Sequence, residues 1–114
     1  MDGTDAERAA LLFLQSQGLK LIARNWRCKA GELDLVMRDA DTVVVTEVRK
    51  RSRDDYGLAA ETVDGRKQLK LARATKLLLA QRPDLADAPL RFDVVTLDAE
   101  GRIDWIREAF DAGD

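Results

Sequence analysis

The stretch from residue 31 to residue 51, GELDLVMRDADTVVVTEVRKR, constrains the fold of this chain most strongly. It contains two apolar segments, roughly 33–38 and 42–49, on either side of a polar tip at residues 38–41. Two apolar runs of strand length that flank a short polar tip predict an antiparallel β-hairpin. Strand pairing then decides which side chains of the two segments become neighbours.

The hairpin register predicts a cluster of acidic side chains. With the turn at 40–41, Asp34 lies opposite Glu47, and cross-strand partners point to the same face. Every second residue shares that face, so Glu32 and Arg49 are expected to lie beside them. Three carboxylates on one face repel one another unless a cation lies between them, and oxygen ligands suit Mg²⁺ or Mn²⁺. A one-residue slip of the register would separate these side chains.

The length and composition predict one soluble domain. The chain has 114 residues, 46% hydrophobic and 35% charged, which is enough for one core and too little for two. We therefore expect a single domain over 1–114, with an acidic C-terminal tail from about 108. The sequence has no apolar run of membrane-spanning length, and its acidic N-terminus does not resemble a signal peptide. A cytoplasmic location is the simplest expectation.

The residue types that are missing exclude several chemistries. The chain has no histidine and one cysteine, Cys28. A Ser-His-Asp or Cys-His pair is impossible, and so are a zinc site built on histidine and an internal disulfide. An enzyme with this composition would work with carboxylates and a hard metal ion.

The charges are distributed unevenly along the chain, although the net charge is only −2. Residues 49–82 contain ten Lys/Arg and four Asp/Glu, whereas residues 83–114 contain three Lys/Arg and nine Asp/Glu. A basic middle favours contact with phosphate groups. The structural alternative is a solvated amphipathic helix, which is the commoner case.

The remaining pattern predicts seven elements. A first helix is expected at 4–17, where Thr4 to Glu7 has the form of a capping box, followed by a strand at 19–27 and the hairpin. Residues 50–57 are predicted to form a polar loop. A second helix, capped by Asp64, is expected to end near Gln81. Strands are predicted at 90–98 and 103–107, with a loop at 83–89 between helix and strand. A helical crossover between the hairpin and strand 90–98 would make a mixed sheet with helices on both faces.

The chain resembles the YraN-like family of small bacterial proteins in the order of its motifs. These motifs are Ala6-Glu7, Gly18, Asn25, Arg27, Gly31-Glu32-Leu33-Asp34, Glu47-Val48-Arg49-Lys50-Arg51, Gly57, Lys67 and Arg91-Phe92-Asp93-Val94. The resemblance covers roughly residues 5–98. It implies an α/β fold with a restriction-endonuclease-like αβββαβ core, similar to archaeal Holliday-junction resolvases, and a nuclease-like or nucleic-acid-binding role.

The resemblance also implies roles for single residues. Asp34 and Glu47 correspond to metal ligands, and Glu7 to a resolvase glutamate that assists the metal site. Arg49 stands where the family usually has lysine. Arginine can stabilise negative charge on a phosphate but cannot act as a base, so this difference bears directly on catalysis. Lys67 is one candidate to replace the lysine.

The leading hypothesis is therefore a Mg²⁺- or Mn²⁺-dependent endonuclease-like domain that acts on DNA, including branched DNA. Its catalytic residues would be Asp34, Glu47, Arg49 and Glu7, with Asp34 and Glu47 as metal ligands. The nucleic-acid backbone would be bound by a basic set: Lys50, Arg51, Arg53, Lys67 and Lys70. A homodimer is a further option, because symmetric cutting of two strands needs two active sites.

Two other functions stay open, and so do structural roles for the same residues. One is a nucleic-acid-binding module whose catalysis is weak or lost because of Arg49. The other is a regulatory or structural partner protein that uses neither metal nor nucleic acid. Asp34 and Glu47 could simply pair with Arg27 or Arg51, Glu7 could serve the capping box, and Glu32 could pair with an arginine.

Overall fold

The computed structural model describes residues 3–51 and 63–111, with side chains from residue 5. It contains two helices, α1 and α2, and five strands, β1 to β5, in the order α-β-β-β-α-β-β that the sequence predicts. Their bounds are α1 Gly3–Ser16, β1 Lys20–Cys28, β2 Gly31–Asp39, β3 Thr42–Lys50, α2 Gly65–Gln81, β4 Leu90–Leu97 and β5 Ile103–Phe110.

The strands form one mixed sheet in the order β1-β2-β3-β4-β5. Neighbouring strands are antiparallel except β3 and β4, which are parallel and are connected through α2. Parallel neighbours require a crossover, and this helix provides it. The predicted α/β fold class is confirmed: the mixed sheet lies between α1 on one face and α2 on the other, and the elements follow the predicted αβββαβ order.

The two faces of the sheet carry separate apolar cores. On one face, Ala10 and Leu14 of α1 pack with Leu35 and Val44. On the other face, α2 packs Leu71, Ala74 and Leu78 against Val36 and Val45. Since side chains alternate along a strand, odd positions of β3 face α2 and even positions face α1. The same alternation assigns the polar side chains of β3 to one face of the sheet or the other.

Local signals in the sequence set the helix ends. Gly18, at φ 94°, follows α1, and the backbone N–H of Leu19 donates to Leu14 O at 3.1 Å. A glycine at positive φ is a common helix stop. Asp64 caps α2, as predicted, because its carboxylate accepts from the backbone N–H of Lys67 at 2.9 Å. The Thr4 side chain of the predicted capping box lies outside the described residues.

The structure differs from the sequence prediction mainly near the C-terminus. The predicted loop at 83–89 contains a 3₁₀ turn, Pro83–Leu85, and β5 runs to Phe110 rather than 107. Phe110 stacks on Phe92 at 5.2 Å between ring centroids, and this contact holds the last residues of β5 against β4. The tail boundary predicted at about 108 therefore falls inside a strand.

Other expectations fall partly or wholly outside the part of the chain that the structure describes. The polar loop predicted at 50–57 begins one residue later, because Lys50 is the last residue of β3. Of the rest of this loop only residue 51 is described, and Arg53 is not. Over residues 3–51 and 63–111, neither helix has the length and apolarity needed to cross a membrane.

Candidate metal and phosphate site

The β2–β3 hairpin has the register that the sequence predicts. Asp39 pairs with Thr42 across the turn, and the ladder continues to Leu35–Thr46. One step further along the same register, Asp34 stands beside Glu47. There the Asp34 carboxylate, rather than a backbone carbonyl, accepts the N–H of Val48, at 2.9 Å. At the end of the β2–β3 ladder, the backbone N–H of Val48 is therefore bound by a side chain.

A kink in β1 and β2 determines where Asp34 points. Asn25 adopts φ 50°, in the left-handed region, where asparagine is one of the few tolerated residues. Ala23 and Trp26 both pack on the α2 side although they lie three positions apart, so side-chain alternation breaks at Asn25. It breaks across the ladder as well, because Leu35 lies in the α1-side core and Leu33 in the α2-side core. The alternation of β2 therefore changes at Asp34, the residue beside Glu47.

Glu47 is a buried carboxylate next to a second one. Glu47 is only 5% exposed. Burial, followed by a hydrogen bond with Asp34 and the negative charge of Asp34, raises the pKa of Glu47 to about 8. A pKa of about 8 means that Glu47 keeps its proton near neutral pH, because a second negative charge beside Asp34 is unfavourable in a buried position.

Two cations lie beside the pair and counteract the rise in the Glu47 pKa. They are Lys67 and Arg49, in that order of effect. Lys67 Nζ lies 3.4 Å from Glu47 Oε2, which is an ion-pair distance without hydrogen-bond geometry, since this buried oxygen has no hydrogen-bond partner. The Asp64 cap fixes the first turn of α2 and so positions Lys67. Arg49 Nε is also buried without a partner.

Glu7 on α1 reaches the edge of this site. Its pKa is raised by burial and by the charges of Asp34 and Glu32, while a hydrogen bond with the Asn25 side chain opposes the rise. Among the residues that the structure describes, no group of three acidic, cysteine or histidine side chains is arranged to hold a metal ion. The predicted cluster of three carboxylates is therefore reduced to the Asp34–Glu47 pair.

The simple structural pairings that the sequence left open are resolved. Arg27 Nε lies 3.5 Å from Glu32, so Glu32 has the arginine partner that was its structural alternative. Arg51 pairs with Asp104 of β5 at 3.0 Å. These two arginines therefore pair with acidic residues other than Asp34 and Glu47.

Only some of the predicted phosphate-binding residues lie near the carboxylate pair. Lys50 and Lys70 are exposed, and Lys67 is half-exposed at the site itself. Arg51 is paired with Asp104 of the acidic segment 83–114, and Arg53 is not among the described residues. The site cations nearest the carboxylate pair are therefore Lys67 and Arg49.

The Arg91-Phe92-Asp93 motif forms a different polar centre on the α1 face. The fully buried Asp93 carboxylate accepts from Arg91 Nε at 3.1 Å, Trp105 Nε1 at 2.9 Å and the backbone N–H of Glu108 at 3.0 Å. Arg91 also donates to Asp39 at 3.0 Å. Every partner of Asp93 is a donor, so it stabilises the fold as a filled acceptor.

Sequence reasoning gave no site role to two residues that the structure brings to the site, Asn25 and Thr96. Asn25 interrupts an otherwise strand-like segment, and an asparagine in a strand pattern is a weak sign of positive φ. Thr96 is the ladder partner of Arg49 in the parallel β3–β4 pair. No local signal could have identified it, because that pairing joins segments far apart in the sequence.

The chain is similar to several bacterial proteins over almost its whole length. It is 50% identical over 111 residues to UPF0102 protein Pfl01_4685 of Pseudomonas fluorescens, covering 96% of this chain and 92% of that protein. It is 52% identical over 113 residues to UPF0102 protein PSEEN4497 of Pseudomonas entomophila, with the same coverage of both. The solved structure of Pyrococcus furiosus SfsA in complex with Ca²⁺ is a weak neighbour, with TM-score 0.29 and 13% identity over 86% of this chain and 58% of that one.

The family profile agrees with these relatives. Residues 6–97 match the model of "Uncharacterised protein family UPF0102", which confirms the resemblance noted from the motifs. The match includes every residue of the carboxylate pair and its two cations. The chain belongs to the UPF0102 family.

Proposed function

We propose that this protein is a divalent-metal-dependent endonuclease-like domain that hydrolyses phosphodiester bonds in DNA. The Asp34–Glu47 pair is the observation that carries the proposal. A buried carboxylate with a raised pKa, Glu47, lies beside the Asp34 carboxylate, and two cationic side chains lie next to it. Perturbed acids next to fixed cations are typical of a site for charged substrates.

The donor set fits a hard cation. Glu47 Oε2 is buried without a hydrogen-bond partner, and a buried acceptor of this kind is costly unless something fills it. Carboxylate oxygens are the ligands that Mg²⁺ and Mn²⁺ prefer, and Mg²⁺ is commonly bound through one or two of them. Bound there, such an ion would supply Lewis-acid stabilisation of the phosphate and activate water. Asp34 and Glu47 would hold it.

The neighbouring side chains supply the remaining functions. The Arg49 guanidinium would donate to a phosphate oxygen through its unpartnered Nε, but it cannot accept a proton. The Glu7 carboxylate, with its raised pKa, would accept a hydrogen bond from the attacking water. Lys67 would leave its contact with Glu47 to pair with the DNA backbone. The exposed Lys70 lies one helical turn further along α2 and extends the contact.

The direct test is cleavage of labelled four-way-junction and linear DNA with Mg²⁺ or Mn²⁺. We expect wild-type protein to cut, and Asp34→Asn and Glu47→Gln each to reduce the rate by about 100-fold or more. Asp41→Asn, at the exposed hairpin tip, is the matched control and should cut like wild type. Cleavage that survives in both site variants would contradict the proposal.

A second candidate is a DNA-binding module with little catalysis. Two observations favour it: only two carboxylates converge in the described part of the site, and Arg49 cannot act as a base. It predicts DNA binding that weakens steeply with salt but no cutting. Arg49→Lys should then raise cleavage above wild type. If it changes nothing in either metal, the loss of lysine is not what limits the protein. Binding that is absent or insensitive to salt would favour a partner-protein role instead.

A further inference from the structure

Thr96 has a buried hydroxyl without a partner, next to the proposed site. The residue is 1% exposed, and its Oγ1 is one of four buried side-chain atoms in the described residues that lack a hydrogen bond. The other three are Thr46 Oγ1, Glu47 Oε2 and Arg49 Nε. Buried hydroxyls are normally hydrogen-bonded, because leaving one unpaired costs free energy.

The sheet places Thr96 on the same face as the carboxylate pair. In the parallel β3–β4 ladder, Glu47 pairs with Val94 and Arg49 with Thr96. Val94 packs in the α2-side core, and the alternation along β4 puts Thr96 on that side too. Neighbouring strands lie about 4.8 Å apart, so the Thr96 hydroxyl and the Arg49 side chain begin as direct neighbours.

The chain offers a comparison within itself. Thr75, also buried at 1% exposure, donates its hydroxyl to the backbone carbonyl of Leu71 at 2.7 Å. Thr46 shares the unpaired state of Thr96 but faces the other way, since its neighbours Val44 and Val48 belong to the α1-side core. Within residues 5–51 and 63–111, Thr96 alone combines an unpaired buried hydroxyl with a place beside unpaired atoms of the site.

We propose that the Thr96 hydroxyl and Arg49 Nε together bind one non-bridging oxygen of a DNA phosphodiester, beside the Asp34–Glu47 pair. Both groups can donate a hydrogen bond, and an acceptor between them with negative charge satisfies both at once. The Lys67 ammonium, 3.4 Å from Glu47 Oε2, favours a negative charge at the same site. This inference rests on the proposed function and adds a substrate-binding residue from β4.

The test compares Thr96→Val with Thr46→Val. Both substitutions preserve the side-chain shape and remove an unpaired buried hydroxyl, so neither should lower the free energy of unfolding appreciably. Binding of a short fluorescein-labelled DNA duplex is measured by anisotropy in EDTA, and single-turnover cleavage is measured in Mg²⁺. We expect Thr96→Val to raise Kd about three- to tenfold, as expected for one lost hydrogen bond, and to slow cleavage. Thr46→Val should match wild type, and Thr96→Ser should retain most of the binding.

Two results would overturn the Thr96 subsite alone. One is a Thr96→Val variant that binds and cleaves DNA like the wild type. The other is a Thr46→Val variant that loses as much DNA binding as Thr96→Val, because the effect would then be a general one of the sheet. Wild-type protein that neither binds nor cuts DNA would overturn the proposed function, and the subsite with it. That outcome is read from the wild type alone, so the two failures are distinguishable.

Discussion

Asp93 and Glu47 are buried carboxylates on neighbouring strands, yet their surroundings are opposite. Asp93 is fully buried and accepts hydrogen bonds from Arg91, Trp105 and a backbone N–H. Glu47 is 5% exposed and faces another carboxylate, and one of its oxygens has no hydrogen-bond partner. The two centres lie on opposite faces of one sheet. Because both carboxylates are buried, burial alone does not explain the difference between them.

The hydrogen-bond partners of a buried carboxylate distinguish a structural role from a functional one. A carboxylate whose surroundings are all donors lowers the free energy of the folded state and is complete without a ligand. A carboxylate that keeps a raised pKa and an open oxygen costs the fold stability, and proteins retain such groups mainly where chemistry requires them. We therefore assign Asp93 a structural role, and the raised pKa and open oxygen of Glu47 support its place in the proposed site.

Asp93→Ala should have the largest effect on stability. The substitution leaves the Trp105 indole and the Glu108 N–H without their acceptor and removes one of the two carboxylates that pair with Arg91. Removing one partner of a buried charged network costs about 3–5 kcal/mol. Urea denaturation of the variant against wild type measures this loss. A loss below about 1 kcal/mol would show that Asp93 is not the structural centre described here.

Glu47→Gln should change the pH dependence of stability. The folded pKa of about 8 exceeds the ordinary value of 4.5, so the folded state binds this proton more tightly than the unfolded chain does. The resulting stability is present below about pH 4.5 and is lost as the pH rises through about 8.

This loss, on the order of 3 kcal/mol, should be nearly absent in Glu47→Gln, which cannot ionise. Urea denaturation from pH 5 to pH 8.5 measures it. The exposed-tip variant Asp41→Asn should keep the wild-type slope. Parallel pH profiles for wild type and Glu47→Gln would contradict the assignment of the raised pKa to this residue.

Asn25→Ala should destabilise the kink beside Asp34 by about 1–2 kcal/mol, since a left-handed φ is costly for a residue with a Cβ and no local hydrogen bond. Asn25→Gly tolerates the same φ and should recover most of that loss. Thermal unfolding of the two variants provides the measurement. Equal destabilisation by both substitutions would instead assign the effect to the lost contact with Glu7.

Lys67→Met should have the smallest effect on stability, below about 1 kcal/mol, because the Lys67 side chain is 38% exposed. Its effect on the site should be clearer. The positive charge of Lys67 lowers the pKa of Glu47, so its removal should raise that pKa further. An NMR titration of the Glu47 carboxyl group measures the shift. The matched control is Lys70→Met, where the lysine is exposed; an equal shift in both variants would exclude a specific Lys67–Glu47 pair.

Most of the fold follows from short-range signals in the sequence. The polar tip at 38–41 determined the hairpin and its register, and the Asp64 cap determined the start of α2. The length of β5 could not be predicted, because its last residues depend on distant contacts. Phe110 stacks on Phe92, and Glu108 adopts φ 48° where its N–H donates to Asp93.

The candidate site was likewise predictable only where it depends on local sequence. The neighbourhood of Asp34 and Glu47 followed from the hairpin register alone. The positions of Lys67 and Thr96 depend on how α2 and β4 pack on β3, and a linear sequence does not encode that pairing locally. Glu32 was expected in the cluster by simple alternation, which the kink at Asn25 interrupts.

The most direct test of the central claim is a calorimetric titration of Mn²⁺ into the wild-type protein near pH 7, repeated with Glu47→Gln and Asp34→Asn. A cation that binds Glu47 should displace its proton, and the released proton is detected by repeating the titration in buffers of different ionisation enthalpy. We predict binding with proton release in the wild type and none in either variant. No binding by the wild type, with or without DNA, would contradict the claim, as would equal binding by all three proteins.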